Sequence, residues 1–278
     1  MQIKQAIKRL TPSPMLAFYR ARKAKQNTVD PSLYIQRGID FASEFLPLRD
    51  NSLPAGNADN PLKRYFDSCS SGRTIWKWEH YFDVYHRHLS KFRGRDVRVM
   101  EIGVLGGGSL EMWHTYFGSQ CTVYGVDIDP ACRQYEGERT KILIGDQQDR
   151  AFWHSIKSSV APLDIIIDDG GHEAEQQIVT LEEMLPHTRS GAVYICEDVH
   201  QSNQMFLPYV SGIVSQLSEF TFIPNTTETV SAVNKLQRYI SGIHTYPFIT
   251  VIERRDVELR QLIAPKRGSV GKASLDTV

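Results

Sequence analysis

The sequence predicts an α/β fold, a doubly wound and mostly parallel seven-stranded sheet preceded by an N-terminal helical extension. Three features carry that reading. From residue 97 onward, short Val- and Ile-rich runs alternate with helical stretches, the pattern of strands buried on both faces and joined by right-handed helical crossovers. A glycine-rich turn follows the first of those runs. The last pair, within 239–254 (YISGIHTYPFITVIER), folds back around Tyr246 and Pro247, so its strands should be antiparallel.

In chain order, residues 1–70 are expected to form a basic helical extension and a loop. Lys4, Lys8, Arg9, Arg20, Arg22, Lys23 and Lys25 have no acidic partner before residue 30, and Ile3, Ile7, Leu10 and Phe18 interleave with them. A peripheral helix on an anionic membrane surface is one reading. A solvated basic arm, or one docked on another subunit of a homo-oligomer, is the favoured one, because Pro12 and Pro14 break any single long helix. Residues 47–61 (PLRDNSLPAGNADNP) read as an exposed loop.

The main domain is expected over 71–264. Between Ile75 and Phe92, Trp78, Phe82, Tyr85, Leu89 and Phe92 recur at steps of 4, 3, 4 and 3, which predicts a helix with these residues in the core. Strands follow at 97–102 (VRVMEI), 122–127 (TVYGVD), 141–145 (KILIG), 163–168 (LDIIID) and 191–196 (GAVYIC). A helix at 173–185 puts Ile178, Leu181 and Leu185 on one face. The tail 265–278 (PKRGSVGKASLDTV) is expected to be disordered.

Composition removes several function classes. Hydrophobic residues at 41% and charged residues at 23% are ordinary globular values, which argues against disorder, collagen-like repeats and membrane bundles. Lys+Arg 32 against Asp+Glu 32 disfavours a nucleic-acid partner, and no basic-aromatic patch stands out in 71–264. Cys69, Cys121, Cys132 and Cys196 contain no Cys-x-x-Cys pair, so neither a disulfide framework nor a zinc ribbon is signalled. No stretch reaches the roughly 18 apolar residues of a membrane span, and no signal-peptide pattern opens the chain. A cytoplasmic protein is expected, with contact to the inner membrane face only through the basic arm.

Candidate site residues gather at strand ends. Glu101-Ile-Gly103-Val-Leu-Gly106-Gly107-Gly108-Ser109 joins the first strand to a helix, and glycine there lets backbone approach a ligand closely. The middle glycine of a G-x-G-x-x-G fingerprint would fall on Leu105, so a pyrophosphate-binding loop is disfavoured. Asp127 ends the second strand, where a carboxylate can accept ribose hydroxyls. Asp146 and Gln147 end the third, in reach of an adenine amino group. Glu101 lies near the cationic end of S-adenosylmethionine (SAM) bound there. Glu101, Gly103, Ser109, Asp127, Asp146, Gln147 and Asp168 form the expected cofactor set; individually, Asp127 and Asp146 are equally at home as helix caps.

The fourth strand ends Asp168-Asp169-Gly170-Gly171-His172 and the fifth Glu197-Asp198-Val199-His200. C-terminal ends of neighbouring parallel strands meet, so the two acidic pairs converge. Such carboxylates repel unless they share a cation, and oxygen ligands suit Mg²⁺ or Mn²⁺. Asp169, Glu197 and Asp198 are the expected ligands. His172 can take a proton at neutral pH and, with Asp169, forms the expected catalytic pair.

The runs VMEIGVLGGGSLEMWHTYFG, VYGVDIDP, IGDQQDRAFW, IIIDDGGHEAEQQ and ICEDVH resemble the metal-dependent sugar O-methyltransferases that decorate macrolide antibiotics, over roughly Trp76 to Arg254. The DDG-x-H and ED-x-H pieces are the most specific. The resemblance implies a class I, Rossmann-like methyltransferase fold, SAM as methyl donor, Mg²⁺ on Asp169, Glu197 and Asp198, and His172 as base. Catechol-type O-methyltransferases are similar more loosely: their first acid is followed 28 and 29 residues later by an acidic or amide pair, as Glu197 and Asp198 follow Asp169. Their usual lysine three residues after that acid is here His172, which favours a sugar hydroxyl over a catechol. The expected activity is methylation of a sugar or glycosylated small molecule; a phenolic acceptor, or a non-catalytic module of the same fold, are the alternatives.

Overall fold

The computed structural model describes residues 31–43, 59–200, 205–224, 228–265 and 267–268. The basic segment 1–29, nearly all of the 47–61 loop and nearly all of the tail 265–278 lie outside the described residues. The chain divides into two compact units, Met1–Pro54 and Ala55–Val278. In the first, described residues form helix α1 (Pro31–Ser43), where Gln36 donates to Asp40 one turn on at 2.8 Å. Residues 59–70, read from sequence as part of the extension, lie in the second unit.

There α2 (Pro61–Ser68) starts on Asn60, whose side-chain oxygen accepts from the Leu62 and Lys63 N–H groups. The Asn60 amide donates to the Phe82 carbonyl at 2.8 Å, tying α2 to α3 (Tyr81–Leu89). The elements then alternate: β1 (Arg98–Ile102), α4 (Gly108–Phe117), β2 (Thr122–Asp127), β3 (Thr140–Ile144), α5 (Arg150–Ser159), β4 (Leu163–Asp168), α6 (Ala174–Met184), β5 (Thr188–Val199) and α7 (Phe206–Leu217). After β6 (Thr221–Ile223), β7 (Glu228–Ala232) and α8 (Lys235–Tyr239), a hairpin of β8 (Ile240–Tyr246) and β9 (Phe248–Arg254) returns to the sheet.

The sheet has seven strands in the order β3-β2-β1-β4-β5-β9-β8, parallel through β5 and antiparallel at β9 and β8. Strand order reverses at β1/β4, the switch point over which α/β sheets bind ligands. Period-2 alternation divides the strand side chains between two cores. Val99, Ile165, Ile167, Val193 and Ile195 pack under α2, α3 and α4, whereas Met100, Ile166, Tyr194 and Cys196 pack under α5, α6 and α7.

The predicted strands are all present, and the fifth is longer than expected, reaching from Thr188 to Val199. Two features differ. The helix predicted from residue 75 begins at Tyr81; residues 74–78 run without helix, with Trp76 and Trp78 outward and Lys77 inward. Trp78, expected in the core, is therefore 51% exposed. The reason is electrostatic: the Lys77 ammonium reaches a buried carboxylate cluster, and an extended alternation turns both flanking tryptophans away. A second sheet, β10-β7-β6, was not expected; its short Thr- and Ser-bearing strands carry little apolar periodicity, and β10 (Gln261–Pro265) runs to the first residue of the predicted tail.

Candidate active site

The strand ends β1 to β5 open into a cavity of about 790 Å³, a size suited to a nucleoside-bearing cofactor with part of an acceptor. One end is lined by Gly103, Asp127, Ile128, Asp146 and Gln147, the other by Asp169, His172, Glu197, Asp198 and Trp78. Gly103 has φ of 87°, and a Cβ there would collide with the Asp169 carbonyl, so only glycine lets the β1 and β4 loops approach this closely. Leu105, His172 and Asp198 also have positive φ, at 49°, 59° and 52°. Each costs on the order of 1–3 kcal/mol, and all three line the cavity, Leu105 and His172 from loops and Asp198 from the irregular end of β5.

On the cofactor side, Asp127 Oδ2 accepts from the Val104 and Leu105 N–H groups at 2.9 and 3.2 Å, and Oδ1 from Asp129 N–H at 2.9 Å. Burial pushes its pKa up, but these backbone donors outweigh that and hold the carboxylate below its usual range. Asp127 thus clamps the glycine loop while still facing the cavity. Asp146 is exposed and accepts from Gln148 N–H, a local turn; Asp129 and Asp149 are the residues that cap the following helices.

Three expected cofactor residues, Glu101, Ser109 and Asp168, act from behind the wall, and Gln147 lines it. Asp168 is fully buried and absent from the cavity lining, because alternation along β4 turns it under α6. It accepts from Gln147 Nε2 at 3.1 Å and the Tyr194 hydroxyl at 3.1 Å, and burial pushes its pKa up to about 7. Gln147 is itself spent on Asp168, Thr180 and Gly171 N–H. Ser109 donates to Glu101 Oε2 at 2.7 Å, and Glu101 is covered by Lys77.

Lys77 is the residue that pattern reading missed. Its Nζ lies 3.2 Å from Glu101, 2.5 Å from Asp169 and 3.1 Å from Glu197, with its side chain only 3% exposed. Burial opposes the charge, but the three carboxylates overcome it and raise the Lys77 pKa well above normal. Tyr85 donates to Glu197 Oε1 at 2.6 Å, so both Glu197 oxygens are taken. Asp198 Oδ1 is held by Trp78 Nε1 at 3.0 Å and the Tyr81 hydroxyl at 2.8 Å. Nothing in the local Trp76-Lys77-Trp78 run marks the lysine as the inward residue.

Those bonds leave Asp169 Oδ1 and Asp198 Oδ2 turned to the cavity, 3.9 and 3.6 Å from His172 Nε2. Asp169, His172 and Asp198 place one ligand atom each within 4.8 Å of one another. Glu197, expected as a ligand, stands behind that group. Three carboxylates, those of Glu101, Asp169 and Glu197, face one ammonium, with Asp198 beside them; burial pushes the Glu101 and Glu197 pKa values up, the neighbouring Asp169 adds to it, and Lys77 opposes it. A divalent cation fits this donor set: Mg²⁺ characteristically takes one or two protein carboxylates and completes its shell with water and substrate oxygens.

No protein-family model matches the chain. Over 180 residues it is 32% identical to the 8-demethyl-8-alpha-L-rhamnosyl tetracenomycin-C 2'-O-methyltransferase of Streptomyces olivaceus, covering 62% of this chain and 43% of that protein. It is 35% identical over 201 residues to the corresponding 8-demethyl-8-(2-methoxy-alpha-L-rhamnosyl)-tetracenomycin-C 3'-O-methyltransferase of the same organism, covering 65% and 50%. Among solved structures, the MycE methyltransferase of the mycinamycin biosynthetic pathway, in complex with Mg, SAH and mycinamycin VI, aligns with a TM-score of 0.56 at 26% identity, covering 70% of this chain and 53% of that one. The chain has the class I methyltransferase fold. It resembles sugar O-methyltransferases in sequence, and spans about half the length of the curated relatives it matches. In this methyltransferase fold the β1/β4 switch point lies under Gly103 and Asp169, where the two halves of the cavity meet.

Proposed function

We propose that the protein is a SAM-dependent, Mg²⁺-assisted O-methyltransferase acting on a hydroxyl of a sugar or glycosylated small molecule. The observation that carries this is the convergence of Asp169 Oδ1, His172 Nε2 and Asp198 Oδ2 at one end of a cavity whose other end presents Asp127 and Asp146. Relatives named for methylating rhamnosyl hydroxyls, and a structural neighbour holding Mg and SAH, support the same reading.

Asp127 and Asp146 would accept from the ribose and adenine of SAM, and Gly103 would let its backbone lie against the β1 loop. Bound SAM supplies an electrophilic methyl group on a sulfonium. Asp169 and Asp198 would hold the metal, while Glu197 keeps Lys77 and Tyr85 in place behind them. Bound Mg²⁺ would make the acceptor hydroxyl more acidic and fix two vicinal oxygens. His172 Nε2 takes the hydroxyl proton, and the adjacent Asp169 and Asp198 carboxylates stabilise the imidazolium that results. Trp78 and Trp76, exposed at the cavity rim, offer faces on which a sugar ring can stack.

The test offers methyl-labelled SAM with rhamnosides and with catechols, and locates the label by mass spectrometry. Label on a sugar hydroxyl is expected. Transfer to catechols with none to rhamnosides would assign the enzyme to the phenolic class.

A further inference from the structure

We infer that His88, His244 and Glu253 form a second metal site, for a borderline transition-metal ion such as Zn²⁺, remote from the cavity described above. Their three donors lie within 4.8 Å of one another, and none of the three lines the cavity. They come from three elements, α3, β8 and β9, so the site is made by tertiary folding and not by one local turn.

The geometry suits a metal with imidazole ligands. His88 Nδ1 is 3.0 Å from Glu253 Oε1, and His244 Nε2 is 3.4 Å from Glu253 Oε2. Tetrahedral ligands bound at ~2.0–2.1 Å stand about 3.3 Å apart, so small side-chain adjustments admit the ion. His244 Nε2 is buried yet makes no hydrogen bond. Its ring folds over Gly242, where a Cβ would come within 3.2 Å of that nitrogen, and Gly242 sits opposite Glu253 in the β8/β9 register. The missing side chain leaves the room that the ring uses.

The outer contacts are those that a metal-bound histidine needs. His88 Nε2 lies 2.8 Å from the Tyr246 hydroxyl. Donating Nε2–H to that oxygen fixes the ring and leaves the Nδ1 lone pair for the ion. His88 is 5% exposed, so the fold holds its ring in place. The His244 side chain is 40% exposed and gives an entry path. Of the neighbouring cations, Arg87 lies over the Tyr246 ring and Lys91 over the Phe92 ring. Imidazole nitrogens select zinc, copper, nickel or cobalt over Mg²⁺, so the two sites differ in the metal they take. An ion here would clip α3 to the final hairpin and stabilise the fold by linkage.

The experiment titrates the full-length, EDTA-stripped protein with Zn²⁺ in excess Mg²⁺, reading stoichiometry and thermal midpoint. Wild type and Asp198→Asn should each bind one Zn²⁺ per chain and melt higher when loaded. His244→Ala and Glu253→Gln should bind at least about 100-fold more weakly, with no zinc-dependent shift, a larger loss than the 10- to 100-fold typical of outer-shell changes. His244 is partly exposed, and its metal-free variant should melt like metal-free wild type, which separates lost binding from lost folding. Wild-type protein that takes up no zinc overturns the inference, as does His244→Ala that binds as tightly as wild type.

Discussion

Lys77 carries more of the active-site electrostatics than any other single residue. It holds Glu101, Asp169 and Glu197, whose charges would otherwise repel inside the protein. Removing one partner of a buried ion group leaves uncompensated charge, so Lys77→Met should cost about 3–5 kcal/mol, read as a lowered urea midpoint. A variant as stable as wild type would show that the cluster takes up protons at no cost. His172 tests a different link, that from geometry to chemistry. Its Nε2 faces two carboxylates and the cavity. His172→Ala should therefore reduce kcat by roughly 100- to 10,000-fold while affinity for S-adenosylhomocysteine, measured calorimetrically, stays unchanged. Turnover at the wild-type rate would remove the base assignment.

At the scale of elements, β3, β4 and β5 are joined behind the cavity by Gln147, Asp168 and Tyr194. The Asp168 pKa of about 7 lies above the usual carboxylate range, with burial as the main cause. Between pH 4 and 7 the folded chain keeps this proton and the unfolded chain does not, so the contribution of Asp168 to stability falls as pH rises through that window and levels off above it. Asp168→Asn is neutral throughout. Its urea midpoint relative to wild type should be more favourable at pH 8 than at pH 5; an equal difference at both would show that Asp168 is ionised across the range. The elements themselves were largely legible. Five Val- and Ile-rich runs and the reversed pair at Tyr246–Pro247 report burial on both faces, and the acids that end those runs mark the cavity edge. Lys77 was not legible, because its partners lie 24, 92 and 120 residues away and nothing local signals the pairing. The aromatic steps from Trp78 to Phe92 matched a helix, yet the first of them belongs to an extended segment that the carboxylates pull inward. Asp168 and Asp169 are adjacent letters with opposite faces, and only the pleat of β4 decides which one meets the cavity.

Across the whole molecule, the charge balance of Lys+Arg 32 against Asp+Glu 32 is a sum of unlike regions. Acids gather at the C-terminal edge of the sheet, where one lysine only partly offsets them, and the first 29 residues carry seven Lys and Arg. That edge is where a divalent cation and a cationic methyl donor would both be stabilised. Among the described residues no helix is long and apolar enough to cross a membrane. Under the proposed function, methyl transfer depends on a divalent ion at Asp169 and Asp198. The direct measurement is label transfer from SAM to a rhamnoside by protein stripped with EDTA, before and after adding Mg²⁺. Loss of transfer on stripping and its return with Mg²⁺ is the predicted result; transfer at an undiminished rate by the metal-free protein would contradict it.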